Sequence, residues 1–184
     1  MSQRVCPWWL GYTLIVPLRR LVNNPEEILK PHVREGMRIL ELGPGMGFFS
    51  LALARMVGSS GKVFCVDLQD KMLRTLNKRA AKANLSGIIE ARLCSKESLS
   101  IDDIAGQIDF TLAFAVLHEV SDLGNMLRQV NAAMKHGATF LIAEPTNHVK
   151  KNVFEKIVSI AKDSGFIIAA QPQIKHCLAV LLKK

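Results

Sequence analysis

Apolar residues form two alternating patterns along this chain, and the alternation predicts a layered fold of strands and helices. Short continuous apolar runs that end at glycine or polar residues are typical of buried strands. Longer segments with apolar residues every three or four positions are typical of helices packed on a sheet. The predicted strands are residues 37–42, 62–67, 88–93, 108–114 and 138–143, and the main predicted helices are residues 47–57, 70–83, 121–134 and 150–163.

The two ends of the chain depart from this alternation. Asn24 followed by Pro25 predicts the start of a short helix, because asparagine is a common cap and proline is favoured at the first helical position. The apolar runs 166–170 and 174–182 have no helix between them, so we expect an antiparallel hairpin. The alternating units before it require right-handed crossovers, and therefore an α/β fold with a mostly parallel sheet.

A glycine-rich turn follows the first predicted strand and is the most informative feature of the sequence. The strand ends I-L-E-L, with the acid at Glu41, and the next residues place glycines at Gly43, Gly45 and Gly47. Glycine adopts the backbone angles of a tight turn and lets a ligand approach the main chain. Asp67 ends the second predicted strand, 24 residues after Gly43, close to the spacing of a ribose-binding acid in a nucleotide-binding βαβ unit. Together they predict a ligand with an adenosine-like ribose.

The glycine spacing distinguishes two classes of ligand. A dinucleotide site needs G-x-G-x-x-G, with the pyrophosphate at the helix N-terminus. Here the third glycine is one residue early, at Gly47, and Phe48 takes the sixth position, which argues against NAD or FAD. The form E-x-G-x-G-x-G suits a ligand with an ammonium group and no phosphate. The alternatives are an ordinary strand–helix turn and a helix-capping role for Asp67.

At these residues the chain resembles the class I S-adenosylmethionine-dependent methyltransferases, in particular small ones related to ubiquinone/menaquinone-biosynthesis C-methyltransferases. The resemblance covers about 25–184 and continues at residues 67–68, 92–95, 108–120 and 137–145. It implies a Rossmann-like, doubly wound sheet of seven mostly parallel strands in the order 3-2-1-4-5-7-6, with helices on both faces. In such sheets the ligand lies across the carboxyl ends of the strands, at the switch point between strands one and four.

The resemblance also implies S-adenosylmethionine as the cofactor. Asp67 would hold the ribose hydroxyls, and Leu68 and Met72 would flank adenine, although Met72 also has the spacing of a core residue. Cys94 and Ser95 stand where the family often has an acid, so adenine would be held by backbone and a serine hydroxyl. The predicted cofactor-binding residues are Glu41, Gly43, Gly45, Gly47, Asp67, Leu68, Met72, Cys94, Ser95, Ala113, Phe114 and Val116.

Methyl transfer is an in-line displacement that chiefly needs alignment and exclusion of water. A general base is needed only if the acceptor loses a proton. We assign His118 and Glu144 as candidate catalytic residues, with His118 the better base on intrinsic pKa. The alternative, in which His118 only caps or packs the turn after the fourth strand, stays open. His148 could complete a metal site with them, but Pro145 prevents the helix that this would need, so we expect no metal.

The N-terminal segment 8–18 is apolar and contains both tryptophans and the only tyrosine. It is too short to span a bilayer and has no convincing signal-peptide cleavage site. It could pack on the core, cap the active site or contact a membrane interface. We divide the chain into a capping segment, 1–24, and a methyltransferase domain, 25–184. Trp9, Tyr12 and Glu119 are candidate substrate-binding residues.

The composition predicts a globular cytoplasmic protein. The chain has 184 residues, enough for one domain with its own core. Its four cysteines lack C-x-x-C spacing and are typical of reduced thiols. The net charge of +8 is compatible with nucleic acid, anionic lipid or an acidic small substrate. The basic residues are dispersed and no aromatics interleave with them, which argues against single-stranded nucleic acid.

Three functions compete. The leading one is a small-molecule methyltransferase with an unknown acceptor, and the sequence leaves the oligomeric state open. The second is an RNA or protein methyltransferase, which the charge favours. Residues 113–116, however, read A-F-A-V and not the (D/N)-P-P-aromatic sequence that grips a flipped base. The third is a cofactor-binding regulator without catalysis.

Overall fold

The computed structural model describes residues 23–184 of the chain. Internal contacts divide this part into two compact units, residues 23–94 and 95–184. The helices are α1 (Pro25–Leu29), α2 (Ser50–Val57), α3 (Asp70–Lys82), α4 (Leu123–Ala133) and α5 (Lys151–Asp163), with 3-10 turns at Asp102–Ile104 and Leu117–Glu119. The strands are β1 (Arg38–Leu42), β2 (Lys62–Asp67), β3 (Ile89–Leu93), β4 (Ile108–Phe114), β5 (Met134–Pro145), β6 (Ile167–Ala170) and β7 (Cys177–Lys183).

The seven strands form one sheet in the order β3-β2-β1-β4-β5-β7-β6. The predicted strand order and α/β class are therefore confirmed. Strand β2 pairs in parallel with β1 and with β3, and β4 pairs in parallel with β5. Strand β7 is antiparallel to both β5 and β6. The terminal hairpin predicted from two apolar runs without a helix between them is thus present.

The unit 23–94 places two buried strands beside each other. Residues 39–42 of β1 and 63–67 of β2 are buried, as expected of strands covered on both faces. The register sets Glu41 opposite Cys65. The predicted cap of α1 is confirmed, because the Asn24 side chain accepts a hydrogen bond from the backbone N–H of Glu26 at 3.1 Å.

Some predicted boundaries differ from the observed ones for local reasons. Helix α2 begins at Ser50 and not at residue 47, because Gly47 has a positive φ of 84° and belongs to the preceding turn. Helix α4 begins after Asp122, whose side chain accepts from the backbone N–H of Asn125 at 2.9 Å and so fixes the cap. Strand β5 is longer than predicted, since the chain leaves α4 at Ala133 and enters the strand directly at Met134.

No helix within residues 23–184 combines the length and the apolar character needed to cross a bilayer. Segment 8–18, with Trp9 and Tyr12, lies outside the described residues. Its three alternative roles, and the division at residue 24, therefore remain predictions.

Candidate functional site

The glycine turn after β1 has one glycine that packing requires and one that faces open space. Gly43, Gly45 and Gly47 have φ values of 61°, 55° and 84°, all in the left-handed region. A Cβ on Gly47 would overlap the Cδ1 atoms of Leu76 and Leu51. A Cβ on Gly45 would meet nothing of the described protein within 4 Å. The turn therefore presents bare main chain at Gly45.

The Asp67 carboxylate ties the glycine turn to the end of β2. Its Oδ2 accepts from the backbone N–H of Gly45 at 3.2 Å, and its Oδ1 accepts from that of Gln69 at 2.9 Å. The capping position of α3 is Gln69, and no side chain caps that helix, so Asp67 is not the cap considered above.

Glu41 lies buried beside the turn, with 3% of its surface exposed. Its Oε2 accepts a hydrogen bond from the Cys65 thiol at 3.4 Å. The pKa of the Glu41 carboxyl is raised to about 7, chiefly by burial; the Ser50 hydroxyl and the Cys65 thiol lower it, and the charge of Asp67 raises it. The Ser50 hydroxyl is close enough to favour the charged form, yet among the described residues it completes no hydrogen bond.

Two exposed apolar side chains lie at the ends of β2 and β3: Leu68 directly follows β2, and Leu93 is the last residue of β3. Leu68 is 41% exposed and Leu93 is 54% exposed. Leu68 was predicted from the sequence, whereas Leu93 was missed; its signal was an apolar residue directly before the predicted pair at 94 and 95. Met72, by contrast, is 3% exposed and packs as a core residue of α3.

Cys94 and Ser95 follow β3 in the chain and make different local contacts. The Cys94 N–H donates to the backbone carbonyl of Asp67 at 3.0 Å. Burial and the charge of Asp67 raise the pKa of the Cys94 thiol to about 11, so it stays protonated at neutral pH. The Ser95 hydroxyl accepts from the N–H groups of Glu97 and Ser98 at 3.2 and 3.1 Å. That hydroxyl still has its own proton to donate.

The chain leaves β4 through a strained residue. Ala113 and Phe114 are buried at the end of the strand, and Val116 is partly exposed. Between them Ala115 has a φ of +59°, and its N–H donates to the carbonyl of Ala143 at 2.8 Å. A non-glycine residue in this region costs about 1–2 kcal/mol, and such strain is common in functional loops. The sequence alone did not indicate Ala115.

His118 and Glu144, which were predicted separately as candidate catalytic residues, form a close pair in the structure. The Nδ1 of His118 is 2.6 Å from Oε2 of Glu144, and Oε1 accepts from the backbone N–H of Leu117 at 2.7 Å. Glu144 is fully buried, whereas the His118 side chain is 23% exposed. The neighbouring strands β4 and β5 deliver both residues, since Phe114 pairs with Ala143. The structure thus orients the imidazole ring through a buried carboxylate.

Nε2 of His118 is the ring nitrogen that does not contact Glu144. The hydrogen bond to Glu144 raises the pKa of His118, burial opposes this, and the charges of Glu144 and Glu119 add to the increase. Since the carboxylate accepts at Nδ1, the neutral ring is assigned the tautomer with its lone pair on Nε2. Nε2 is 3.8 Å from Oε1 of Glu119. The His148 ring lies parallel to that of His118, with centroids 6.3 Å apart.

Within residues 23–184, no group of three or more His, Cys, Asp or Glu side chains is arranged to hold a metal ion. Cys65, Cys94 and Cys177 are in the reduced form.

Known proteins resemble this chain over most of its described length. A family model described as a methyltransferase domain matches residues 33–179. The ubiquinone/menaquinone biosynthesis C-methyltransferase UbiE of Cronobacter sakazakii is 30% identical over 125 residues, or 68% of this chain and 47% of that protein. The UbiE protein of Pasteurella multocida is 30% identical over 112 residues, or 61% of this chain and 41% of that protein. The chain thus spans about half the length of these relatives.

A solved structure supports the same fold. The crystal structure of a SAM-dependent methyltransferase from Aquifex aeolicus has a TM-score of 0.87 at 23% identity, and the match covers 97% of this chain and 98% of that one. The family model covers well over half of the chain, and the resemblance found in the sequence is confirmed. The chain belongs to the methyltransferase domain family, within the class I S-adenosylmethionine-dependent methyltransferases of UbiE-like type.

Proposed function

We propose that the chain binds S-adenosylmethionine and transfers its methyl group to a small-molecule acceptor. One observation carries the proposal. The Asp67 carboxylate bonds the backbone of a turn that has no side chain at Gly45. This couples a ribose-binding acid to a surface on which an amino-acid tail can lie. Membership of the methyltransferase domain family supports the same ligand.

The residues present fit this cofactor at each of its three parts. The bare main chain at Gly45 suits the methionine portion, and the Glu41 carboxylate suits its ammonium group, as a charge-assisted hydrogen bond. The ribose diol would donate to Asp67. Leu68 and Leu93, both exposed at the ends of their strands, offer apolar surface to adenine. Met72, Cys94, Ser95, Ala113, Phe114 and Val116 remain proposed contacts.

When bound, S-adenosylmethionine supplies a methyl group on a positively charged sulfur, which is already activated for displacement. The chain then has to orient donor and acceptor and exclude water. We assign to Nε2 of His118 the removal of a proton from the acceptor. Glu144 holds the ring in the required tautomer, because its buried carboxylate accepts at Nδ1. It also stabilises the imidazolium formed when Nε2 takes the proton.

The relatives guide the choice of acceptor class. The protein from Cronobacter sakazakii is by name a C-methyltransferase of ubiquinone/menaquinone biosynthesis. A ring carbon beside an ionisable hydroxyl becomes nucleophilic once the hydroxyl loses its proton. A small acceptor of this kind would use the His118–Glu144 pair, whereas an acceptor that is already a nucleophile would not need it.

A transfer assay with methyl-labelled cofactor tests the proposal. The acceptors are a panel of small phenols and quinols, total RNA, and mixed protein. We expect label in a small molecule, at a rate that rises with pH through a value above 6.5, because the raised pKa of His118 means that its neutral form appears there. The His118→Gln variant should lose this dependence on pH. Label found only in RNA or protein, or in no acceptor, would contradict the proposal.

A further inference from the structure

Three side chains from three elements meet in a buried cluster near the glycine turn: Glu41 of β1, Ser50 of α2 and Cys65 of β2. Glu41 is 3% exposed, and Ser50 and Cys65 have no exposed surface. Glu41 and Cys65 are opposite each other in the register of the two parallel strands. Of these three residues, only Glu41 was a predicted site residue, and the function proposed above uses neither Ser50 nor Cys65.

The cluster contains more donors than the resting protein uses. The Cys65 thiol donates to Oε2 of Glu41 at 3.4 Å, and this bond is weak because a thiol is a weak donor. The Ser50 hydroxyl is buried and completes no hydrogen bond with any described residue. A buried polar group without a partner costs about 1–3 kcal/mol. An ionised carboxylate accepts only, with two oxygens, and is therefore the partner that these donors suit best.

The groups acting on the Glu41 carboxyl do not supply a counter-charge. They are Ser50 from α2, and Cys65 and Asp67 from β2. Two of them are neutral donors, since burial and Glu41 itself raise the pKa of Cys65 well above its usual range. The third, Asp67, is an anion and disfavours a second negative charge. A cation from outside the cluster would complete the arrangement.

We propose that Glu41 releases a proton when the ammonium group of the cofactor binds, and that Cys65 and Ser50 are positioning residues that receive the resulting carboxylate. This inference rests on the cofactor site proposed above. The O–H bond of the Glu41 carboxyl breaks and its proton passes to the buffer. The ammonium group keeps its protons, and no covalent bond forms to the ligand.

The expected size of the effect follows from proton linkage. Without ligand, burial holds the pKa of Glu41 at about 7, so near pH 7 about half of the molecules carry the proton. A cation within contact distance lowers the pKa of a carboxyl group. Binding should therefore release about 0.9 proton at pH 6, about 0.5 at pH 7 and about 0.1 at pH 8. The affinity should increase about tenfold between pH 6 and pH 8.

Titration calorimetry with S-adenosylhomocysteine measures this directly, because the probe carries the same ammonium group. At each pH, the binding enthalpy is measured in buffers with different ionisation enthalpies, and the slope gives the number of protons released. Glu41→Gln should abolish the release, at protein concentrations raised to match its weaker binding. Cys65→Ala should move the half-release point to higher pH and weaken binding about 3–10-fold, since one donor to the carboxylate is lost.

Cys177→Ala is the matched control for removal of a thiol, because Cys177 lies on β7, opposite Pro145 and outside the Glu41 cluster. It should leave both the proton number and the affinity unchanged. Saturable binding with a buffer-independent enthalpy would overturn the proton-release proposal and leave the cofactor site intact. The same holds if Glu41→Gln releases as many protons as the wild type. Absence of saturable binding to the wild type would overturn the proposed function, and this inference with it.

Discussion

Two buried glutamates, one in each unit of the chain, show how differently a carboxylate can be held. Glu41 in β1 is 3% exposed and Glu144 in β5 is fully buried. Glu144 accepts from a backbone N–H at 2.7 Å and pairs with an imidazole at 2.6 Å. Glu41 accepts from a thiol at 3.4 Å and lies beside a hydroxyl that completes no hydrogen bond with any described residue.

The difference lies in the partners and not in the burial. Burial in general penalises the charged form of a carboxyl group. At Glu144 the protein itself supplies strong donors, including a histidine that can become a cation. At Glu41 the donors are weak and a neighbouring acid disfavours the negative charge. Burial therefore keeps the pKa of this carboxyl group at about 7. We interpret Glu144 as a member of the catalytic machinery whose partners the protein itself supplies. We interpret Glu41 as a residue whose set of partners is completed by the ligand.

The largest expected effect comes from removing the charge of Glu144. Gln at this position keeps the shape and can accept from the Leu117 N–H, but its amide cannot satisfy both His118 and that N–H as the carboxylate does. We expect kcat for methyl transfer to fall about 100-fold. The free energy of unfolding should fall by about 1–3 kcal/mol, measured in urea, because buried donors lose a charged acceptor.

Glu155→Gln is the control for this substitution. Glu155 lies on α5, where it is exposed and forms a loose pair with Lys151 at 4.0 Å. Exposed pairs of this kind contribute little. If both variants transferred methyl groups equally fast, the assignment of Glu144 to the catalytic machinery would be wrong.

The next prediction concerns Glu41→Gln, which should increase the free energy of unfolding of the cofactor-free protein, whereas Glu144→Gln should decrease it. The folded-state pKa of Glu41 is raised from 4.5 to about 7. The protonated Glu41 carboxyl therefore contributes stability to the folded protein that is fully present below pH 4.5. This contribution is lost as the pH rises through 7 and the buried group has to ionise. Glu41→Gln cannot ionise, so its stability relative to the wild type should increase by about 3 kcal/mol between pH 4.5 and pH 8. Urea unfolding at the two pH values measures this, and a difference independent of pH would contradict it.

The smallest effects distinguish the two glycines of the turn. Gly47→Ala would overlap Leu76 and Leu51 at a positive φ, so we expect a loss of about 2–3 kcal/mol in unfolding free energy. Gly45→Ala meets no described atom within 4 Å and should lose only about 1–2 kcal/mol from its backbone angle. Its cofactor affinity should nevertheless fall at least about tenfold if the ligand lies on that surface. Equal cofactor affinity in Gly45→Ala and the wild type would show that the ligand does not contact Gly45.

Local patterns predicted much of this fold. Strands 62–67 and 108–114 have the observed bounds, because continuous apolar runs between polar residues leave little ambiguity. The terminal hairpin followed from the absence of a helical segment between two runs. The glycine turn and Asp67 were identified from their spacing, since both lie within one βαβ unit.

The parts that the sequence could not predict depend on register and side-chain geometry. The contact between His118 and Glu144 requires the ends of β4 and β5 to lie side by side, because the two residues are 26 positions apart in the chain. Ser50 and Cys65 became visible beside Glu41 only through strand pairing and the position of α2. Leu93 is an apolar residue at a strand end, which is usual for core as well as for ligand contacts. Met72 had the spacing of both and is buried.

The most direct test of the account is the affinity of Asp67 variants for S-adenosylhomocysteine, measured by calorimetry beside NADH. We expect the wild type to bind S-adenosylhomocysteine and not NADH. Asp67→Ala should weaken binding by about 1.5–3 kcal/mol, or about 10–150-fold, because hydrogen bonds to a charged group are lost. Asp70→Ala should bind as the wild type, since Asp70 is an exposed partner of Arg74. An unchanged Kd for Asp67→Ala, or binding of NADH with refusal of S-adenosylhomocysteine, would contradict the account.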